Sequence, residues 1–159
     1  MTETQRLYER AKEPVSQCMI RRLLLPSVYW DAPWPTPDRQ VDLLVVDRAG
    51  VGDVHIVEIK RRAADAIKAI PQVMAIPAQY KWIAFYADTL DRKTESAIAK
   101  RKMLFPDKGP GCVGVIAIER TTGSAMEARI LVPAERFPGS YDEELQLFSA
   151  THKPDISFE

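Results

Sequence analysis

Apolar positions along the chain mark out its elements. From residue 5 to 25, Leu7, Ala11, Val15, Cys18, Met19 and Leu23 recur at three- and four-residue steps, the spacing of one helical face. Pro14 falls inside that pattern. It predicts a kink or two consecutive helices, with Pro14 in the first turn of the second, and Pro26 ends the run. A short strand at 27–30 leads into Asp31-Ala32-Pro33-Trp34-Pro35-Thr36-Pro37-Asp38, whose prolines allow neither helix nor central strand and predict a stiff loop. Stretches 41–46 and 54–60 are rich in β-branched residues and apolar on both faces, so they read as central strands covered on both sides. The segment Asp47-Arg48-Ala49-Gly50-Val51-Gly52-Asp53 joins them as a glycine-bearing turn, making a hairpin. Residues 63–78 read as a helix divided at Pro71 and Pro77, 82–87 as a strand, and 90–104 as a helix capped by Asp88 or Thr89. Strands at 112–119 and 125–132, a short acidic helix at 141–149 and a loose ten-residue tail complete the pattern. This order predicts an α/β fold, a mixed central β-sheet flanked by helices.

Composition changes that picture little. The 159 residues suit a single domain spanning 1–159, and 46% apolar with 28% charged residues is ordinary for a globule. No apolar run reaches the roughly 18 residues of a membrane span. The polar start, Met1-Thr2-Glu3-Thr4-Gln5-Arg6, is followed by no apolar signal core, so a cytoplasmic location and no membrane partner are expected. Cys18 and Cys112 lie far apart in no metal-type spacing and read as free, buried thiols. With 22 basic and 22 acidic residues the formal charge is zero, so any nucleic-acid contact would depend on a local patch.

The hairpin carries the candidate chemistry. If its turn is centred on Gly50, antiparallel partners have numbers summing to 100, so Leu44 faces Ile56 and Asp42 faces Glu58. Directly opposed residues point to the same side, and Lys60, two positions beyond Glu58, joins them. Two carboxylates side by side repel, and burial worsens the repulsion; a divalent cation offsets it. Mg²⁺ takes one or two carboxylates and completes its shell with waters and phosphate oxygens. The Ile59 backbone carbonyl is a plausible further ligand. A lysine beside the pair is placed to orient or deprotonate an attacking water, or to neutralise a pentacovalent transition state. Asp42, Glu58 and Lys60 thus supply what metal-assisted phosphodiester hydrolysis needs. The competing reading is a set of solvated strand ends, and a one-residue slip would put the acids on opposite faces.

Arg39-Gln40-Val41-Asp42-Leu43-Leu44 and Ile56-Val57-Glu58-Ile59-Lys60 resemble the two signature strands of the PD-(D/E)XK nuclease superfamily, the restriction-endonuclease-like fold. That family's core order is helix, three strands, helix, strand. Residues 5–87 follow it, the later strands being additions. Val41 stands where the family name has proline, Pro71 and Pro77 break a helix the family keeps whole, and residues 105–159 match nothing in it. The resemblance implies a hydrolase, an Mg²⁺- or Mn²⁺-dependent nuclease, exo- or endonuclease, cutting DNA or, less often, RNA. Many members add a Glu from the first helix as a metal ligand, for which Glu9 and Glu13 are candidates. Some use a Gln or Tyr on the helix after the lysine strand; Gln72, Gln79 and Tyr80 lie there. Small nucleases of this type often pair to cut two strands, so a homodimer is open, with the 112–132 hairpin as its sheet edge.

Arg61, Arg62 and Lys68, with Gln72, are candidate nucleic-acid contacts, against the alternative of solvated helix-start charges. Lys93, Lys100, Arg101 and Lys102 suit a helix dipole at 91–102. Trp82 reads as core, and Trp30 and Trp34 as packing on the proline loop. His55 reads as a strand-start residue away from any partner. No Ser-His-Asp, Cys-His, Walker or dinucleotide pattern occurs. A non-catalytic module of the same fold, binding nucleic acid or a protein partner, is the alternative, and an enzyme acting on a small nucleotide a third reading.

Overall fold

The computed structural model describes residues 2–49, 52–121 and 125–157. Gly50 and Val51, the expected centre of the hairpin turn, lie outside them. Seven strands form one mixed sheet in the order β6-β5-β4-β3-β2-β1-β7. They are β1 (Pro26–Pro33), β2 (Gln40–Asp47), β3 (Val54–Ile59), β4 (Tyr80–Tyr86), β5 (Gly114–Arg120), β6 (Met126–Val132) and β7 (Ile156–Ser157). β3–β4 and β4–β5 are parallel, and the other pairings are antiparallel. β2 and β3 sit inside the sheet, as their two-sided apolar pattern requires. Among the described residues no helix is long and apolar enough to cross a membrane.

One face of the sheet is covered by α1 (Glu3–Ile20). Leu7, Ala11, Val15 and Met19 meet Leu43, Val45, Val57, Trp82 and Ile116 in one buried cluster. Thr2 and Gln5 close a capping box at its start. Pro14 does not divide this helix: α1 runs through it unbroken. Proline removes one ladder bond, but Ala11, Val15 and Met19 on either side are fully buried, and that packing outweighs the local cost.

The other face is covered by α2 (Ala63–Lys68), α3 (Ile70–Met74), α4 (Arg92–Lys100) and α5 (Asp142–Thr151). Ala66, Ile70, Val73, Ile98 and Phe148 pack there against Leu44, Ile56, Ile83 and Phe85. The 63–78 segment breaks at Ala69, two residues before Pro71, which sits in the first turn of α3, and α3 ends at Met74, before Pro77. α4 starts later than expected. Asp91, whose carboxylate accepts from Thr94 N at 2.7 Å, is its cap, while Thr89 sits in a 3-10 turn and accepts from Ala63 N. Arg101, at φ 59, ends α4, and Lys102–Leu104 follow as a separate 3-10 turn. The tail is not loose throughout. β7 pairs with β1, and the Asp155 carboxylate accepts from Trp30 N at 2.7 Å.

Candidate active site

The hairpin register sums to 100 as expected, from Val46↔Val54 to Leu43↔Val57. One step further, Asp42 and Glu58 lie level. Asp42 N donates to Glu58 Oε1 at 3.4 Å, and Asp42 Oδ2 accepts from Ile59 N at 2.6 Å. An N–H and C=O of one strand residue point the same way. The Ile59 carbonyl therefore turns towards β2 and Asp42. Lys60 N donates to Ala84 O at 2.9 Å, which ties the backbone of Lys60 to β4.

The row has a third acid. Trp30↔Leu43 and Ala32↔Val41 bracket Asp31 and Asp42, so Asp31, Asp42 and Glu58 lie side by side across β1, β2 and β3. Asp31 adopts φ 51, a left-handed conformation that Asp tolerates better than most residues. The kink shifts the strand's alternation. Tyr29 and Ala32 both enter the core beneath α2–α5, as do Val41 and Leu44 on β2, while Leu43 enters the core beneath α1. Asp31 and Asp42 thereby reach Tyr8 on α1.

Tyr8 and Lys12 organise that side. The Tyr8 hydroxyl lies 2.5 Å from Asp31 Oδ1 and 2.8 Å from Asp42 Oδ1. Lys12, 3% exposed, donates to Asp31 Oδ2 at 2.6 Å and to Glu9 Oε1 at 3.0 Å. Burial would raise the Asp31 carboxyl, but the bonds from Lys12 and Tyr8 outweigh it and hold the group below its usual range. Asp42 moves the other way: burial raises it, only partly offset by the Ile59 N–H and the Tyr8 hydroxyl. Glu58 is pushed up to about 8, first by burial and then by the charge of Asp42. A phenol has one proton to donate. The Tyr8 hydroxyl therefore stands between two carboxyls that compete for its single hydrogen bond, Asp31 and Asp42. Asp42 and Glu58 thus hold their protons more tightly than acids in water do, and Asp31 holds its own less tightly.

These residues line an open cleft of about 450 Å³, formed by Tyr8, Asp31, Gln40, Asp42, Glu58, Ile59, Lys60, Arg61 and Tyr86 with Gln5. A second cleft, about 400 Å³, shares Gln40 and Glu58 with it and is lined further by Trp34, Arg39 and Gln72. The two meet at Gln40 and Glu58, near the ends of β2 and β3, the first on the α1 side of the sheet and the second on the α2–α3 side. A larger groove of about 850 Å³, between α3 and the segment following α4, contains neither acid. Its size is no argument for chemistry.

Of the residues expected from sequence, the structure brings Asp42, Glu58, Ile59, Lys60 and Arg61 into one cleft and Gln72 into the adjoining one. Glu9 and Glu13 line neither. Glu9 is held by Lys12, and Glu13 accepts from Gln17 at 3.2 Å beside β6. Arg61 bonds Asp88 at 3.4 Å and lies over the Tyr86 ring. Arg62 and Lys68 are exposed at the ends of α2 and line neither cleft. Gln79 is buried, accepting from Val54 N and donating to Gly139 O, and Tyr80 stacks on His55 at 4.4 Å. His55 is therefore not without partners: it also accepts from Trp82 Nε1 at 3.2 Å, and burial lowers its pKa to about 4. Trp34 is buried and donates to Pro77 O at 2.7 Å, and Trp30 donates to Ser16. Both cysteines are free and buried. Sequence reading missed Tyr8, Lys12, Asp31 and Arg39. An i, i+4 Tyr–Lys pair on α1 was the only local trace of the first two.

Among the described residues no three His, Cys, Asp or Glu side chains form a metal-holding group. The Asp42–Glu58 pair nevertheless suits a hard divalent cation. Mg²⁺ needs only one or two carboxylates, burial raises both carboxyls, a cost that a cation would offset, and the Ile59 carbonyl turns to the same place. No protein-family model and no curated protein matches the chain. Among solved structures, a protein of unknown function from Silicibacter pomeroyi is similar in fold, with TM-score 0.56 and 13% identity over 86% of this chain and 80% of that one.

Proposed function

We propose that this chain is a metal-dependent nuclease that hydrolyses phosphodiester bonds in DNA, or in RNA, with Asp42 and Glu58 as metal ligands and Lys60 as the residue serving the attacking water. The observation that carries the reading is the level pair Asp42–Glu58, with Glu58 pushed up to about 8, in a cleft that also contains Lys60. The order helix, three strands, helices, strand supports it, as does the resemblance of the two strands to the PD-(D/E)XK superfamily.

Asp42, Glu58 and the Ile59 carbonyl would hold Mg²⁺ or Mn²⁺. Such a cation stabilises charge building on a phosphoryl oxygen and lowers the pKa of a bound water. Lys60 would orient that water or offset charge in the transition state. Arg61 in the cleft, Arg39 and Gln72 in its continuation, and Arg62 and Lys68 beyond its edge would contact the phosphate backbone.

A second reading is a non-catalytic module of the same fold that binds nucleic acid or a protein. The division of the helix after the lysine strand into α2 and α3, where the superfamily keeps it whole, favours it. One experiment separates the two. The protein is incubated with labelled single-stranded, double-stranded and branched DNA, and with RNA, in Mg²⁺ or Mn²⁺. The expected result is cleavage that Lys60→Ala and Glu58→Ala each slow by about 10²-fold or more. No cleavage of any substrate, with binding unchanged in both variants, would leave the module.

A further inference from the structure

β6 is one open edge of the sheet, and its side chains do not suit standing alone. Glu127 lies directly opposite Glu119 on β5. Like charges so placed destabilise a strand pair. Arg129 bonds Glu119 at 2.5 Å, while Glu127 has no ion pair among the described residues. The edge thus carries an exposed acid two residues from an exposed arginine, each on the side of β6 that alternates with Met126 and Ala128.

The backbone limits what can add to this edge. Thr121 N donates to Ala125 O at 2.9 Å, and the β5–β6 register keeps a constant sum from there to Ile116↔Ile130. Bonded and non-bonded pairs alternate along an antiparallel ladder. Glu127 and Arg129 therefore spend their backbone groups on β5, and Met126, Ala128 and Ile130 turn theirs outward.

We infer that β6 pairs antiparallel with β6 of a second copy, with Ala128 on the two-fold axis and Glu127 of each copy opposite Arg129 of the other. In that register the outward groups of Met126, Ala128 and Ile130 meet their like. Glu127 and Arg129 fall in the non-bonded pairs, where opposed side chains are closest. Two further details agree. On the α1 side Met126 comes opposite Ile130 of the other copy, and a cleft of about 290 Å³ between α1 and β6, lined by Arg10, Glu13, Arg21, Met126, Glu127 and Ala128, lies beside the edge. Shifting the register by two residues puts Glu127 against Glu127 or Arg129 against Arg129, and shifting it by one leaves the backbone groups unmatched. Charge and backbone select the same single alignment. The opposite edge, β7, has two residues and offers no ladder of this length. Pairing extends the sheet through the axis at β6, away from the clefts at the ends of β2 and β3, so the inference is independent of the proposed chemistry.

Sedimentation velocity tests it, run from about 1 to about 300 μM, the range in which a small interface associates. The native protein is expected to shift from monomer to dimer across that range. Glu127→Arg and Arg129→Glu should each weaken association by about tenfold or more, since each sets like charges opposite one another. An equimolar mixture of the two variants should dimerise again, because each then supplies the charge the other lacks; Glu127→Lys with Arg129→Asp provides a second set should one variant fold poorly. A native protein monomeric throughout, single variants that associate like the native chain, or a mixture that stays monomeric would overturn the inference.

Discussion

Glu58 sets the behaviour of the site at the scale of single groups. Its carboxyl, ordinarily near 4.5, is pushed up to about 8 by burial and by Asp42. The folded state therefore binds this proton more tightly than the unfolded chain. The stabilisation is complete below about 4.5 and is lost as the pH rises towards about 8. Metal-free protein should accordingly lose stability across that window, and Glu58→Gln, which carries no charge to expel, should flatten the slope and melt higher than the native chain at pH 8 and above. Thermal melts between pH 5 and 9 read this directly; an unchanged slope would mean that Glu58 ionises freely. Asp42, Glu58 and Lys60 were legible as residues because each interrupts an otherwise apolar strand. Tyr8, Lys12 and Asp31 were not, because nothing local distinguishes them from a solvated helix face and a loop start. Their importance comes from burial of Lys12 and from one phenol proton placed between two carboxyls.

Elements register a second kind of constraint, in which one strand dictates the residue on its neighbour. Gly114 on β5 pairs with Trp82 on β4, and a Cβ at Gly114 would lie 2.2 Å from the Trp82 ring. That ring is 2% exposed and donates to His55, so it has no free direction to move. Gly114→Ala should therefore destabilise by about 1–3 kcal/mol through overpacking, seen as a lower urea midpoint at unchanged slope. A neutral result would mean that β4 and β5 slide apart easily. Strand periodicity found β2 and β3, and the hairpin register followed from it. The same periodicity missed the break in alternation at Asp31 and Asp42, because a single positive φ redirects side chains without changing the sequence pattern. It also divided α1 at Pro14, where tertiary packing keeps the helix whole.

At the scale of the molecule, site and fold stability are linked. The paired acids lie where two clefts meet at the end of β3, so a cation bound there stabilises the whole folded chain by mass action. With free Mg²⁺ or Mn²⁺ at about a hundred times its Kd, the gain should be about 2.7 kcal/mol. It should appear as a raised Tm that chelation reverses, and Asp42→Ala should abolish it. No shift with any divalent cation would remove the metal from the proposed chemistry. The neutral total charge is no obstacle to that binding, since attraction depends on the local acids and not on the sum.

The sequence by itself determined the α/β class, the hairpin and the level pairing of Asp42 with Glu58. Those depend on local periodicity and on a short turn, which bring together residues only 16 apart. Tertiary structure alone decided the rest. It placed Asp31 beside Asp42 and closed the row with Tyr8 from α1, 34 residues away in the chain. It set Glu9 and Glu13 outside the cleft, joined Gln72 to Glu58, and laid the tail against β1 as β7. Contacts of this kind are made by helix docking and by strand order, and neither leaves a period in the sequence. The same holds for the open edge at β6: alternating Glu127 and Arg129 look like any solvated strand until the sheet shows which backbone groups are already spent.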